Sequence, residues 1–106
     1  MAEFFTKIVG VTYNNSQLYI PNLNKGEYIT SVREYDNPYD KNAIALYDSH
    51  GHILGHFSRE VASSLAEIID KKREKLIVRV EDVTGGNGYT YGLNVKVMTV
   101  PRKGKL

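Results

Sequence analysis

Three aspartates have a spacing that raises the question of a metal site. Asp36 and Asp40 lie in one polar segment, and Asp48 ends the next predicted strand. Carboxylates are the ligands that Mg²⁺ prefers, so a small metal-dependent nuclease is one alternative for this chain. Aspartate is also favoured in turns, which explains Asp36 and Asp48 without a metal. We therefore predict a chain with no metal, no other cofactor and no catalytic residues.

The three histidines, His50, His52 and His56, are close together in the sequence. A zinc site needs converging ligands, which cysteine or carboxylate side chains usually complete. The chain has no cysteine, and no second pair of ligands matches the spacing of the histidines. We predict that two of the histidines lie on the surface and that one is half-buried. The lack of cysteine also excludes disulfides and thiol nucleophiles.

A glycine-rich segment at residues 85–88 is a candidate for binding phosphate. A loop that cradles phosphate has to open a helix, because the free N–H groups at the helix N-terminus bind the anion. Here the alternating pattern of a strand follows instead, so we predict a hairpin turn. The motif of nucleotide-driven motors, GxxxxGK[ST], is absent from the sequence.

The chain has eight tyrosines, and several stand near predicted loops. An aromatic ring at such a position can stack on an unpaired base. Tyrosine is also a good strand residue, which is a sufficient explanation for any one of them. Tyr13 and Tyr91 share a strand face with aliphatic residues, so the core is an alternative place for both.

The elements that must position these residues are mostly strands. The apolar and polar residues alternate in six segments, which predict six β-strands: residues 4–13, 27–34, 42–47, 53–57, 76–81 and 89–97. One α-helix is predicted at about residues 58–72, because Ser58 is a good N-cap and apolar residues follow at helical spacing. So many short strands in one small domain favour closure into a barrel, which removes exposed edges. The prediction is a mainly β fold.

The net charge of +2 depends on the end of the chain, where Arg102, Lys103 and Lys105 lie. Without these three, 11 basic residues face 12 acidic ones. Attraction for phosphate must therefore come from a local patch or from the tail. We predict one domain over residues 1–100 and a basic tail over residues 101–106. The sequence contains no apolar run of transmembrane length and its start lacks the features of a signal peptide, so we expect a cytoplasmic protein that does not bind membranes.

Several short motifs follow one another in a characteristic order. They are Val9-Gly10-Val11-Thr12-Tyr13, Gly26-Glu27, Val32-Arg33-Glu34, Asp36-Asn37-Pro38-Tyr39-Asp40-Lys41-Asn42-Ala43-Ile44, Gly55-His56 and Arg59-Glu60-Val61-Ala62. With these motifs the chain resembles a HIRAN domain from about residue 5 to residue 98. The resemblance implies a small, six-stranded, OB-like β-barrel with one helix, and it implies a module that grips single-stranded DNA at a free 3′ end.

The resemblance also assigns roles to residues of the central motif. Tyr39 would pack against the terminal nucleotide. Asp40 would accept a hydrogen bond from the 3′ hydroxyl and would repel a 3′ phosphate. Asn37 would shape the loop or contact the backbone of the strand.

Outside that motif, the resemblance places Tyr13 against a base, His56 near the phosphates and Tyr89 beside a base. The family pattern has an arginine where this chain has Thr12, so a guanidinium contact is missing. Candidates to replace it are Lys41, Lys7 and Arg33.

The sequence thus predicts a non-catalytic module that binds single-stranded DNA or another nucleic acid and acts in DNA repair or processing. Its predicted site consists of Tyr13, Asn37, Tyr39, Asp40, Lys41, His56 and Tyr89. A protein–protein interaction module with the same barrel is the leading alternative, although the sequence does not identify a protein partner.

Overall fold

The structure is a computed structural model that describes residues 2–102. It has six strands and two α-helices, with a short 3₁₀ turn at Ile20–Asn22 directly after the first helix. The strands are β1 (Ala2–Lys7), β2 (Tyr28–Arg33), β3 (Ile44–Tyr47), β4 (Ile53–His56), β5 (Glu74–Gly86) and β6 (Tyr89–Pro101). The helices are α1 (Ser16–Tyr19) and α2 (Arg59–Asp70).

All six strands form one antiparallel sheet in the order β1-β6-β5-β2-β3-β4. The sheet curls into a half-barrel, so that its two outer strands approach each other. Val9, just beyond β1, joins them by pairing with His56 in β4, and each backbone N–H donates to the other's carbonyl at 2.9 Å. This confirms the predicted mainly β, barrel-like fold.

Alternation in the strands builds the core. Every second residue of β6 points inward, and the sequence supplies an aliphatic side chain at most of these positions. The largest buried aliphatic side chains come from four strands, from the residue after β1 and from the helical segments: Ile8, Ile20, Ile44, Leu46, Leu54, Leu65, Val78, Val80, Leu93, Val95 and Val97.

The predicted helix is α2, and its boundaries lie within two residues of the prediction. Ser58 is the N-cap, and its side chain accepts a hydrogen bond from the backbone N–H of Val61. Ala62 and Leu65 are buried against the sheet. The helix therefore covers one side of the half-barrel.

The first predicted strand is too long. It ends at Lys7, because Gly10 takes a left-handed φ of 72° and the N–H of Tyr13 donates to the carbonyl of Gly10 across a tight turn. Asn14 and Asn15 are also left-handed, and α1 follows directly after them. Tyr13 therefore lies in a turn, with 69% of its surface exposed, and the alternative placement in the core is wrong.

The glycine-rich segment is a hairpin turn, as predicted. The turn itself has only two residues, Asn87 and Gly88, both with positive φ, as a tight two-residue hairpin turn requires. At its other end β6 continues to Pro101, which pairs with Glu74, so the predicted tail begins inside a strand. Residues 103–106 of that tail lie outside the described residues. Within residues 2–102, no helix combines the length and apolar character needed to span a membrane.

Candidate nucleic-acid interface

The loop at residues 36–41 is organised by the side chain of Asn37. Its Oδ1 accepts hydrogen bonds from the backbone N–H groups of Tyr39 at 2.8 Å and Asp40 at 3.0 Å. Its amide nitrogen donates to Oε1 of Glu34 at 3.0 Å. Asparagine forms such turns because its short side chain reaches backbone groups two and three residues ahead. Asn37 therefore acts as a local scaffold for the two residues after Pro38.

The scaffold presents an aromatic ring beside a carboxylate. Among the large apolar residues in the described part of the chain, Tyr39 is the most exposed, at 84%. Asp40 is half-buried, and its Oδ1 accepts the backbone N–H of Asn42 at 2.9 Å. This bond orients the carboxylate, and no side chain among residues 2–102 forms a hydrogen bond or an ion pair with its second oxygen. A fixed carboxylate beside an exposed ring is suited to an alcohol donor carried by a flat ring system.

Glu34 connects this loop to the closure of the barrel. Its Oε1 lies 2.9 Å from Nε2 of His56, and because a carboxylate only accepts, Nε2 carries the proton. Partial burial by itself raises the pKa of Glu34, but hydrogen bonds from Asn37 and His56 outweigh it, so the pKa lies below its ordinary value. The backbone of His56 also pairs with Val9. Hydrogen bonds therefore link three segments into one unit: the loop at residues 36–41, β4 and the first turn of the chain, which lies at residues 10–13 directly after Val9.

This unit predicts a pH-dependent effect of Glu34→Gln. A carboxyl group with a lowered pKa stabilises the fold above the ordinary carboxyl pKa of about 4, and the stabilisation is lost as the pH falls through the lowered pKa. We expect the variant to be less stable than the parent by roughly 1 kcal/mol at neutral pH, because the amide accepts weaker hydrogen bonds. The difference should vanish in acid, where the parent is protonated too.

Urea unfolding of both proteins across the range from neutral to acid pH measures this difference. Asp48 and Asp70, whose pKa values are also lowered, affect both proteins equally. A stability difference that stays constant down to acid pH would show that the charge of Glu34 has no role in the unit.

The first turn and the last hairpin meet through Gln17. Its amide nitrogen donates to the carbonyls of Val11 at 2.8 Å and Tyr91 at 2.9 Å, and its oxygen accepts the N–H of Tyr91. Tyr91 is half-buried against the core, as one of its two alternatives predicted. Tyr89, two residues before it, is 79% exposed at the tip of the hairpin. Tyr13 and Tyr89 are therefore two exposed rings on the two segments that Gln17 joins.

Arg59, which was not predicted as a site residue, places a cation beside Tyr39. Its Nη2 donates to the carbonyl of Tyr39 at 2.8 Å, and the rest of its side chain is exposed. Arg33, a candidate to replace the missing arginine, is not available. Its guanidinium binds the Asp70 carboxylate and the carbonyl of Lys41. The sequence feature that could have indicated Arg59 is its position. It is the first residue of α2, and α2 begins only three residues after the end of β4.

Lys41 and Thr12 are exposed, and Lys7 lies at the end of β1 next to the first turn. The side chain of Lys41 forms no ion pair with any described residue. Lys41 is therefore the predicted cation of the loop that remains free to bind an anion.

The alternative metal site is not assembled. Among residues 2–102, no three histidine, aspartate or glutamate side chains are placed to hold a metal ion. Asp40 and Asp48 lie at opposite ends of β3, and Asp48 accepts hydrogen bonds from the backbone of His50 and from the backbone and ring of His52. The ring of His52 stacks on Tyr19 at 3.7 Å, so this histidine is less exposed than predicted, whereas His50 lies on the surface.

Comparison with known proteins identifies the family. A model of the HIRAN domain family matches residues 1–99. The chain belongs to the HIRAN family. Human helicase-like transcription factor (HLTF) is 33% identical over 91 residues, which cover 83% of this chain and 8% of that protein. This HIRAN domain thus spans less than a tenth of the curated relatives that it matches.

Solved HIRAN domains have the same fold. The crystal structure of the HIRAN domain of human HLTF matches with a TM-score of 0.73 at 28% identity, over 92% of this chain and 74% of that one. The NMR structure of the HLTF HIRAN domain in its DNA-bound conformation matches with a TM-score of 0.69 at 25% identity, over 97% of this chain and 78% of that one. A homologous domain of this fold therefore binds DNA.

Proposed function

We propose that this HIRAN domain binds single-stranded DNA at a free 3′ end, through the surface formed by the loop at residues 36–41, the first turn and the tip of the last hairpin. We further propose that it is a binding module without a catalytic step, which serves DNA repair or processing. The observation that carries the proposal is the Asn37 scaffold, because it presents an exposed ring and a fixed carboxylate side by side.

Each part of this surface matches one part of a strand end. The ring of Tyr39 offers a stacking platform, which a base uses whatever its sequence. The free oxygen of Asp40 accepts a hydrogen bond from a hydroxyl, whereas a terminal phosphate brings two negative charges together. Arg59 and Lys41 are exposed cations on either side of these residues, and they suit the phosphates that precede the terminal nucleotide.

The proposal is tested by comparing oligonucleotides that differ only at the 3′ end. Fluorescence anisotropy should show the 3′-hydroxyl strand binding about tenfold or more tightly than the 3′-phosphate strand, since a charge-assisted hydrogen bond contributes about 1.5–3 kcal/mol. A blunt duplex should bind more weakly than either strand.

Asp40→Asn is the matched variant for this comparison. Its amide oxygen still accepts the N–H of Asn42, so the loop is retained while the charge is lost. We expect the preference for the hydroxyl end to shrink to about twofold, because the repulsion of the phosphate is gone. Equal affinity of the unchanged protein for both ends would refute end recognition by Asp40. Negligible binding to all three probes would refute nucleic-acid binding and favour the protein-interaction alternative.

A further inference from the structure

A group of exposed cations lies where α2 passes into β5. Lys71, Lys72, Arg73 and Lys75 are all exposed, and Arg102 is exposed directly after Pro101, which pairs with Glu74 at the start of β5. We call Lys71, Lys72, Arg73, Lys75 and Arg102 the basic pole. None of the five side chains forms an ion pair or a hydrogen bond with another side chain in the described part of the chain.

Several other cations of the sheet are neutralised or engaged. Lys25 pairs with Glu81 at 3.3 Å, and Lys96 pairs with Glu3 at 3.0 Å. Arg79 donates to a backbone carbonyl and lies over an aromatic ring. The nearly balanced charge of the chain thus hides an uneven distribution, with five cations, unpaired among residues 2–102, grouped at one end of the half-barrel.

The basic pole is continuous with the proposed site. The guanidinium of Arg33 binds the carbonyl of Lys41 at 3.0 Å and the carboxylate of Asp70 at 2.9 Å. Asp70 is the last residue of α2 and directly precedes the basic pole. At the other end of α2, Arg59 binds the carbonyl of Tyr39. The helix has 12 residues, so the loop and the pole are joined along an element of about 18 Å.

The sheet opens at the same place. β2 and β5 pair only at Tyr28 with Arg79 and at Ile29 with Val78, although both strands continue. Beyond these pairs the strands separate around a hollow of about 340 Å³, whose lining includes Arg33, Lys75 and Arg102. The pole therefore adjoins a recessed groove, in which Lys75 and Arg102 lie beside Glu74 and the ion-paired Arg33.

We propose that the basic pole is a second contact surface for nucleic acid, which binds the phosphodiester backbone of the strand beyond the nucleotides held at the loop. This inference rests on the proposed function, because the loop supplies the end from which the strand runs along α2. Continuity with that loop favours a nucleic-acid strand over an anionic membrane or an acidic protein, since neither of these requires the two surfaces to adjoin.

The test uses two variants that lose the same charge. Lys72→Gln/Lys75→Gln removes two cations of the pole, and Lys25→Gln/Lys96→Gln removes two that are ion-paired elsewhere. Each phosphate contact on a single strand contributes about 0.7 to the slope of log affinity against log salt. For an oligonucleotide of about fifteen nucleotides, we expect the pole variant to lower the slope by about 1.4 and the control to leave it unchanged.

Between about 50 and 200 mM salt, the unchanged protein should thus lose about sevenfold more affinity than the pole variant. An oligonucleotide of about two nucleotides is too short to reach from the loop to the pole, so the two proteins should bind it equally. Equal slopes for the pole variant and the control would overturn the inference while leaving end binding intact. If the pole variant also bound the short probe more weakly than the unchanged protein, the pole would act only through net charge, and the inference would again be overturned.

Two further measurements, with Tyr39→Ala and with lipid vesicles, distinguish a failure of the proposed function from a failure of the inference about the pole. If binding of the long probe depends on the pole but not on Tyr39, the loop is not the site and the path that we propose is wrong. If no oligonucleotide binds, but vesicles with phosphatidylserine bind and lose affinity in the pole variant, the pole is a membrane-contacting surface and both proposals fail.

Discussion

Tyr39→Ala is expected to lower the affinity for single-stranded DNA by about fivefold to a hundredfold. The ring is 84% exposed, so its removal leaves no cavity, and stacking on one base contributes about 1–3 kcal/mol. The backbone N–H of residue 39 still reaches Asn37, and its carbonyl still reaches Arg59, so the loop should be retained. Fluorescence anisotropy with a 3′-hydroxyl oligonucleotide measures the loss.

Tyr28→Ala is the control for this variant. Tyr28 is 63% exposed, but it lies in β2 against Arg79, away from the loop. Its removal should change the affinity by less than twofold, since no base is expected there. If both variants lost the same affinity, exposed tyrosines would bind the strand nonspecifically wherever they lie. No loss from either would remove Tyr39 from the site.

Gly55→Ala is expected to destabilise the fold by about 3 kcal/mol or more. Gly55 has a φ of 155°, and a Cβ atom there would lie 2.5 Å from the carbonyl oxygen of Val9 and 2.7 Å from Cγ2 of Ile8. The first of these neighbours is backbone that pairs with His56, so it can move only by breaking the bridge that closes the half-barrel. Overpacking and backbone strain each cost about 1–3 kcal/mol, and here they act together.

Gly51→Ala separates these two effects. Gly51 has a φ of 87°, but a Cβ atom there meets nothing within 4 Å. The variant therefore carries strain without a clash, and we expect a loss of about 1 kcal/mol. Urea unfolding of the two variants and the parent measures both changes. If Gly55→Ala costs no more than Gly51→Ala, the close approach of the first turn to β4 does not hold the barrel together.

Much of the fold follows from local pattern. The hairpin of β5 and β6 alternates cleanly, and its turn contains the residues that adopt positive φ most readily, Asn87 and Gly88. The helix α2 has its N-cap and its apolar spacing in the sequence. In both elements, the residues that predict the structure lie within the element itself. The prediction therefore does not depend on contacts with distant parts of the chain.

The end of β1 shows what pattern alone misses. Alternation continues to Tyr13, yet the strand stops at Lys7, because Val9 finds its partner in β4 rather than in β6. That pairing depends on the small size of Gly55, which lies far along the chain. Local alternation does not show which strand a residue will pair with. For this reason the sequence pattern predicts a strand at Tyr13, where the structure has a turn.

The candidate site divides in the same way. Asn37, Tyr39 and Asp40 were predicted from one continuous motif, and the structure shows the bonds that make the motif a loop. Arg59 was missed because its contact with Tyr39 spans twenty residues of chain. Arg33 was a candidate cation, but its pairing with Asp70 is a tertiary contact that the sequence does not display.

An NMR titration of the ¹⁵N-labelled protein with a short 3′-hydroxyl DNA strand tests most directly whether the loop at residues 36–41 binds the strand. We expect the largest chemical-shift changes at the backbone amides of Tyr39, Asp40 and Asn42, and we expect them to extend to Tyr13 and Arg59. Changes that are confined to the outer face of β2 and β5, around Tyr28 and Arg79, or a spectrum that the DNA leaves unchanged, would contradict binding at this loop.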